Sequence, residues 1–340
     1  LLGGESIMSK KYNVAVVGAT GLVGQTFLKV LKERNFPVEN LYLYASARSA
    51  GKVVNWGGKE YTVIELKDEN IKEDIDVALF SAGGGISKEF APKFRDKGAV
   101  VVDNSSAWRM DKDIPLVVPE ANPEALKNHR GIIANPNCST IQVMPILKVL
   151  QDKYGLKRVI YSTYQAVAGA GKKGLDDLEN NLQGKPSTNF PHQIAFNALP
   201  HIDVFLENGY TKEEEKMINE TRKILSLPDL KVTATCVRIP VKFGHGVSVN
   251  VELEKPFELE DVVKAFEEKE GVIVQNDGKN KVYPMPITAQ DTDEVYVGRI
   301  RRDDTVDNGL NLWVVADNIR KGAATNTIQI AETLIKEGAL

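Results

Sequence analysis

Tyr12-Asn13-Val14-Ala15-Val16-Val17-Gly18-Ala19-Thr20-Gly21-Leu22-Val23-Gly24 decides how the first half of this chain is read. Tyr12 to Val17 is a short, nearly continuous apolar run, the pattern of a strand buried on both faces. Glycines interrupt it at 18, 21 and 24, and apolar residues then recur at helical spacing through Val23, Phe27, Val30 and Leu31. Strand, glycine turn, helix is the context in which a glycine-rich motif has meaning. Gly18 allows the tight turn, Gly21 the close approach of a pyrophosphate, and Gly24 close packing of helix on strand. The spacing is three and three rather than two and three, so the motif needs its surroundings to carry weight.

Those surroundings repeat the pattern. Leu41-Tyr42-Leu43-Tyr44 reads as a second strand, and Ala45-Ser46-Ala47-Arg48-Ser49-Ala50-Gly51-Lys52 follows it. A fold preferring NAD places an acidic residue there for the ribose 2′-hydroxyl. Arg48 instead, helped by the Ser46 and Ser49 hydroxyls, suits a 2′-phosphate and therefore NADP. Asp76 to Phe80 runs into Ser81-Ala82-Gly83-Gly84-Gly85, and Ala99 to Val102 runs into Asp103-Asn104-Ser105-Ser106-Ala107-Trp108-Arg109. Leu116 to Asn122 and Gly131 to Ala134 read as the next strands. Repeated β-then-α units predict an α/β, Rossmann-type doubly wound parallel sheet, its ligand at the carboxyl ends of the strands.

The last of these strands leads to Asn135-Pro136-Asn137-Cys138-Ser139-Thr140, then to a helical pattern through Ile141, Met144, Leu147 and Leu150. A lone cysteine is more often a buried structural residue than a reactive one. This one stands at a strand's carboxyl end and a helix N-terminus, where unpaired N–H groups favour thiolate and can hold an oxyanion.

Beyond about residue 150 the pattern becomes α+β with a mixed or mostly antiparallel sheet. Strands are expected at Val159–Val167, Lys231–Pro240, Val247–Leu253, Gly271–Gln275, Val295–Arg301 and Leu310–Val315. Helices are expected at Glu213–Leu225 and Ala323–Ile335, the second able to return to the first domain. Gly174 to Pro200, polar with scattered Asn and Pro, reads as a long loop. His245 lies between two strands with a glycine on each side, which presents an imidazole into a cleft. Arg238 could hold a carboxylate through a bidentate fork.

The chain of 340 residues has 42% hydrophobic and 26% charged residues and a net charge of -3. It is long enough for two domains and gives no reason to expect nucleic acid or a membrane as partner. Two cysteines, Cys138 and Cys236, suit a reducing cytoplasm, and their pairing stays open. No Cys/His cluster has metal-ligand spacing, and no Gly-x-Ser-x-Gly turn occurs, so neither a metal nor a serine hydrolase is expected. Residues 1–10 are read as a cloning remnant or disordered start before Met8. Residues 11–137, completed by a C-terminal helix at 322–340, are the NADP-binding domain, and 138–321 the catalytic and dimerisation domain.

Taken together, six segments resemble the aspartate-semialdehyde dehydrogenase family, in the family's order and over nearly the whole chain after Met8. They are Val16–Gly24, Asp103–Arg109, Asn135–Thr140, Gln165-Ala166-Val167-Ala168-Gly169-Ala170-Gly171, Arg238–Val241 with His245, and Asp317-Asn318-Ile319-Arg320-Lys321-Gly322-Ala323-Ala324. The resemblance implies reversible, NADPH-dependent reductive dephosphorylation of L-aspartyl-4-phosphate to L-aspartate-4-semialdehyde through a cysteine thioacyl intermediate. That step leads towards lysine, methionine and threonine. It implies Cys138 as nucleophile, Gln165 as the residue positioning the reacting carbonyl or a water, and His245 as acid/base. Arg238 matches the clamp on the substrate α-carboxylate, and Arg109 and Lys216 the phosphate ligands. Glu213 matches the partner of the substrate amine, with its neighbours in the acidic run still open. Cofactor contacts are implied at Gly18, Ala19, Thr20, Gly21, Leu22, Val23, Ser46, Arg48, Ser49, Ser81, Ala82, Gly83, Gly169 and Asn318, with Lys321 near the phosphate end. A homodimer or homotetramer is implied. The rivals are an N-acetyl-glutamyl-phosphate reductase, sharing the cysteine logic, and a non-catalytic NADP-binding regulatory module.

Overall fold

In the structure, a computed structural model that describes residues 10–340, the first apolar run is strand β1 (Tyr12–Val17) at the centre of a six-stranded sheet. Its neighbours are β2 (Val38–Ala45), β5 (Ile64–Glu65), β6 (Val77–Phe80), β7 (Val100–Asp103) and β8 (Ile132–Ala134), all parallel, in the order β5-β2-β1-β6-β7-β8. A separate hairpin, β3 (Val53–Trp56) with β4 (Lys59–Thr62), lies between β2 and β5 in sequence. The strand order reverses beside β1, so the carboxyl ends of β1 and β6 border the crevice where such sheets take ligands.

Helices cover both faces. Phe27, Val30 and Leu31 of α1 (Leu22–Glu33) pack with Val14 and Val16, together with Ile328, Ala331 and Leu334 of the last helix, α8 (Asn326–Lys336). Phe90, Ala91 and Phe94 of α2 (Gly84–Asp96) pack with Ala15, Val17 and Phe80 on the opposite face. Gly24 matters because a Cβ there would meet the carbonyl oxygen of Gly18 at 2.1 Å. Backbone cannot move aside cheaply, so Gly24→Ala is expected to destabilise the protein by about 1–3 kcal/mol. An unchanged urea midpoint would contradict that packing.

The second sheet is mixed. It runs β10-β9-β11-β14-β13-β12, comprising β9 (Leu156–Gln165), β10 (Lys231–Arg238), β11 (His245–Leu253), β12 (Val272–Val274), β13 (Val295–Asp303) and β14 (Gly309–Ala316). β9 pairs parallel with β10 and antiparallel with β11. One face carries Val159, Tyr161, Val249 and Leu312 into the largest core, where Ile141, Met144, Ile146 and Leu147 of α3 (Cys138–Tyr154) pack on them. The opposite face presents Tyr164, 41% exposed and edge-to-face with Trp313.

Several expectations are corrected. Gly174 to Pro200 is not all loop, because α4 (Lys172–Leu182) occupies its start. Its inward face is partly polar: Asp177 accepts the N–H groups of Thr188, Asn189 and Phe190, and Asn181 those of Ile194 and Ala195. Leu175, Leu178 and Leu182 keep helical spacing, but buried Asp177 and Asn181 interrupt that face and make the stretch read as polar. Leu116–Asn122 makes only a bridge from Leu116 to Ala134, since the prolines at 115 and 119 prevent a regular ladder. The terminal helix begins later than read, after a wide π-type turn at Arg320–Thr325. Two further helices follow α5 (Lys212–Ile224): α6 (Leu259–Glu267) and α7 (Pro286–Ala289). Met8 lies outside the described residues.

Candidate active site

Three strand ends and three helix starts converge on one cavity of about 450 Å³. Parallel pairing sets Gln165, at the end of β9, opposite Arg238 at the end of β10. Because β11 runs the other way, its first residue, His245, arrives at the same edge. The α3 N-terminus supplies Cys138, and the first turns of α5 supply Glu213 and Lys216. Cys138, Gln165, Arg238, Glu213, Lys216, Arg109, Gly169 and Asn318 all line this cavity, with Leu22 and Val23 from the α1 start.

The α3 terminus is built by Asn137, whose side chain caps the helix by accepting the Ser139 N–H at 2.9 Å. The Sγ of Cys138 lies 3.3 Å from Nε2 of His245. Nδ1 of His245 accepts the backbone N–H of Ala166 at 2.9 Å. An amide N–H can only donate, so the neutral ring carries its proton on Nε2, aimed at the sulfur. Gly169 has no side chain for a reason here: a Cβ would lie 2.7 Å from Nη1 of Arg238 and 3.3 Å from the His245 ring.

The acidic run resolves by geometry. Glu213 accepts from Asn137 Nδ2 at 2.9 Å, Gln165 Nε2 at 3.1 Å and Lys216 Nζ at 3.1 Å. Glu214 instead closes a capping box with Thr211 and accepts the Cys236 N–H, and Glu215 bonds Asn208 and Asn219. Arg109 donates Nε to the Asn135 carbonyl, Nη2 to the Asn104 carbonyl and Nη1 to Glu220. Two residues missed in the sequence complete the charge pattern. Asp203 accepts from Lys216 at 2.8 Å, and Glu220 accepts from Arg109 at 3.1 Å. Glu220 could have been found, since it falls two helical turns beyond Glu213 on the same face. Asp203, in an irregular segment at φ 68°, leaves no periodic signal.

Electrostatics overturn one expectation. The helix terminus and imidazole do not yield a thiolate in the free site. Burial first, then the charge of Glu213, push the Cys138 thiol up to about 11. Burial and then Arg238 push His245 down to about 3, so the pair rests as thiol and neutral imidazole. Glu213 stays ionised at about 2, because Lys216 and the bonds from Asn137 and Gln165 outweigh its burial. Glu213→Gln should therefore lower the thiol pKa and raise the iodoacetamide alkylation rate at pH 8 several-fold. An unchanged rate would mean that Glu213 does not control the sulfur.

The remaining predicted contacts spread along the crevice. Ala19 and Thr20 border a second cavity of about 510 Å³ with Lys52 and Trp56. Ser49 is buried and joins this loop to the glycine turn through the Thr20 hydroxyl, whereas Ser46 and Arg48 are exposed. Ser81, Ala82 and Gly83 do not line the 450 Å³ cavity; the Ser81 carbonyl sits where a Cβ on Gly18 would fall. Gly21 opens α1 with no side-chain cap, leaving first-turn N–H groups available to a phosphate. Nδ2 of Asn318 is buried with no partner beside the cavity, while its Oδ1 accepts the Gly244 N–H. An unsatisfied amide donor at one end and an uncapped helix start at the other fit a nicotinamide dinucleotide. Lys321 is corrected: its Nζ is buried on Glu120 and Gln329, away from the cavity. Cys138 and Cys236 are both free thiols.

A nucleotide-type crevice joined to a cysteine–histidine pair defines the class as a nicotinamide-dependent dehydrogenase. Residues 13–129 match the family described as semialdehyde dehydrogenase, NAD binding domain, and 147–321 that described as semialdehyde dehydrogenase, dimerisation domain. The chain belongs to the aspartate-semialdehyde dehydrogenase family, a family of oxidoreductases. It is 61% identical over 338 residues to the aspartate-semialdehyde dehydrogenase of Aquifex aeolicus, covering 97% of this chain and 99% of that one. The Bacillus subtilis enzyme is 49% identical over 343 residues, with 97% and 99% covered. The Vibrio cholerae aspartate semialdehyde dehydrogenase II complexed with ASA superimposes with a TM-score of 0.93 at 48% identity, with 97% and 99% covered. The Candida albicans enzyme with NADP gives 0.79 at 27%, with 97% and 100% covered. Among the described residues no helix is long and apolar enough to cross a membrane.

Proposed function

We propose that this chain catalyses the reversible, NADPH-dependent reductive dephosphorylation of L-aspartyl-4-phosphate to L-aspartate-4-semialdehyde, through a thioacyl enzyme on Cys138. The observation that carries it is the 3.3 Å approach of Sγ to His245 Nε2, in a cavity that Arg238, Arg109 and Lys216 also line. Arg238 holds the substrate α-carboxylate and Glu213 its ammonium. That ammonium also cancels the Glu213 charge, which after burial is the second cause of the raised thiol pKa, so binding favours the nucleophile. Sγ bonds to the acyl carbon, the carbon–oxygen bond to phosphate breaks, and phosphate leaves between Arg109 and Lys216. Since Nε2 of His245 already carries a proton, the thiol proton departs with the phosphate.

Bound NADPH supplies the hydride. Asn318 and Gly169 would hold its nicotinamide end, and Gly18 to Val23 with Ser81 to Gly83 would hold its pyrophosphate. Arg48, with Ser46 and Ser49, favours a 2′-phosphate, since no acidic residue ends β2. His245 Nε2 donates to the carbonyl oxygen as the thioacyl group is reduced, and Gln165 orients that carbonyl. The carbon–sulfur bond then breaks, its electron pair stays on Sγ, the aldehyde leaves, and the thiolate takes a proton from solvent to restore the thiol. The enzyme works in the cytoplasm, on the route to lysine, methionine and threonine, as a homodimer joined through the Tyr164 and Trp313 face of the second sheet. Its two domains divide near residue 138.

The test is phosphate-dependent reduction of NADP with aspartate semialdehyde. No turnover by a folded, NADP-binding protein would sink the assignment. Turnover only with the N-acetyl-glutamyl analogue would favour the sibling reductase, although an acylated amine gains little from Glu213.

A further inference from the structure

Glu220 takes no part in the reaction proposed above, yet it ties together the two elements that carry the cysteine and the phosphate cation. It is 1% exposed. Its Oε2 accepts the backbone N–H of Asn137 at 2.6 Å, and its Oε1 accepts Nη1 of Arg109 at 3.1 Å. With Arg109 and Lys216 it lines a recess of about 450 Å³ beside the main cavity. Arg109 has five N–H groups; three are bound within the protein, which leaves one on each terminal nitrogen for an anion.

The charges around that position sum to a difficulty. Glu213 is matched by the substrate ammonium, and Arg238 by its carboxylate. What remains is Arg109 and Lys216 against Glu220 and Asp203, a neutral quartet. Bringing a dianionic phosphate against these two neutral pairs, of which Arg109 with Glu220 is buried, leaves negative charge poorly compensated beside Glu220, which is unfavourable. The relief is to neutralise one carboxylate. Asp203 is the wrong one, because it is more exposed and Lys216 holds it below its ordinary range in spite of burial. Glu220 is the right one, since burial already lifts it above the ordinary carboxylate range against Arg109 and the Asn137 N–H. Facing it are Arg109 from the loop after β7, Lys88 of α2 across the recess, and Glu213, Lys216 and Lys223 of its own helix. From α3 it meets only the Asn137 N–H.

We propose that Glu220 takes up one proton from the buffer when the phosphate group enters beside Arg109, and returns it when phosphate leaves. The inference rests on Arg109 and Lys216 being the phosphate ligands. Oε2 keeps its bond to Asn137 throughout. Oε1 exchanges the Arg109 bond for an O–H that donates to the anion, so the cysteine helix stays anchored while the charge beside it changes. Because the anion favours the protonated form, affinity is highest at low pH. It falls as pH rises above the pKa that Glu220 has in the empty site.

Sulfate is the probe, a tetrahedral dianion with no proton of its own near neutrality. Its heat of binding to the NADP-loaded protein is measured in two buffers of unequal ionisation enthalpy. Its inhibition constant against phosphate is measured from pH 5 to 8. The wild type should take up close to one proton, and its inhibition constant should rise by up to about tenfold per pH unit. Glu220→Gln should still bind sulfate, with no uptake and a flat constant. Sulfate bound by the wild type without uptake, or uptake persisting in the variant, overturns the proposal. Should the variant not fold, the wild-type heats decide alone. Sulfate that neither binds nor competes would instead remove Arg109 and Lys216 as phosphate ligands, a distinguishable failure that takes the proposal with it.

Discussion

Cys138→Ser should abolish phosphate-dependent reduction of NADP by aspartate semialdehyde, with a loss on the order of 10³-fold or more in kcat. A hydroxyl fits the same space, so the fold and NADP binding should survive. It is a far poorer nucleophile at neutral pH, and an oxygen ester would not replace the thioacyl group as hydride acceptor. Burial and then Glu213 hold the free thiol at about 11, and a substrate ammonium on Glu213 removes the second of these causes. Full-length protein with unchanged circular dichroism but no acyl-enzyme mass shift is the supporting pattern. Residual activity above a few per cent would mean that the cysteine is not the covalent centre.

His245→Gln should lower kcat by about 10²–10⁴-fold while moving the KM for the aldehyde little. Glutamine can still donate a hydrogen bond towards Sγ, but it leaves the Ala166 N–H without its Nδ1 acceptor and no longer holds the donor fixed on the developing oxyanion. The wild-type kcat profile should also show no ionisation of His245 between pH 6 and 8, since the ring titrates near about 3 and stays neutral above it. Burial and then Arg238 are the causes, and the Ala166 N–H on Nδ1 works in the same direction, because an imidazolium would set two donors against each other. Nitrogen NMR of the labelled ring should find the proton on Nε2. A proton on Nδ1 would require a different role for this histidine.

Much of the architecture was legible because its signals are local. The apolar run at Tyr12–Val17 and the glycines after it announce a buried parallel strand and a tight turn from backbone sterics alone. Gly24 could be read as a packing glycine, and the structure supplies the atom it spares, the Gly18 carbonyl oxygen. Helix α5 was readable from Met217, Ile218 and Ile224, and its capping box lies openly in Thr211-Lys212-Glu213-Glu214. Helix α4 was overlooked although Leu175, Leu178 and Leu182 keep helical spacing, because Asp177 and Asn181, buried to hold backbone groups of their own loop, break up that face. Periodicity methods assume that the buried face is apolar.

The sequence by itself determined the parallel-sheet class of the first domain, the mixed sheet of the second, and the residue types that meet at the site. Each follows from short-range sterics, hydrophobic period or side-chain chemistry. Only the tertiary structure decided the protonation of Cys138 and His245, which glutamate faces the cavity, and that Lys321 turns away to Glu120. It also placed Asp203 and Glu220 against the two cations. Those properties depend on burial and on charges brought together from distant parts of the chain, and neither is a function of neighbours in sequence.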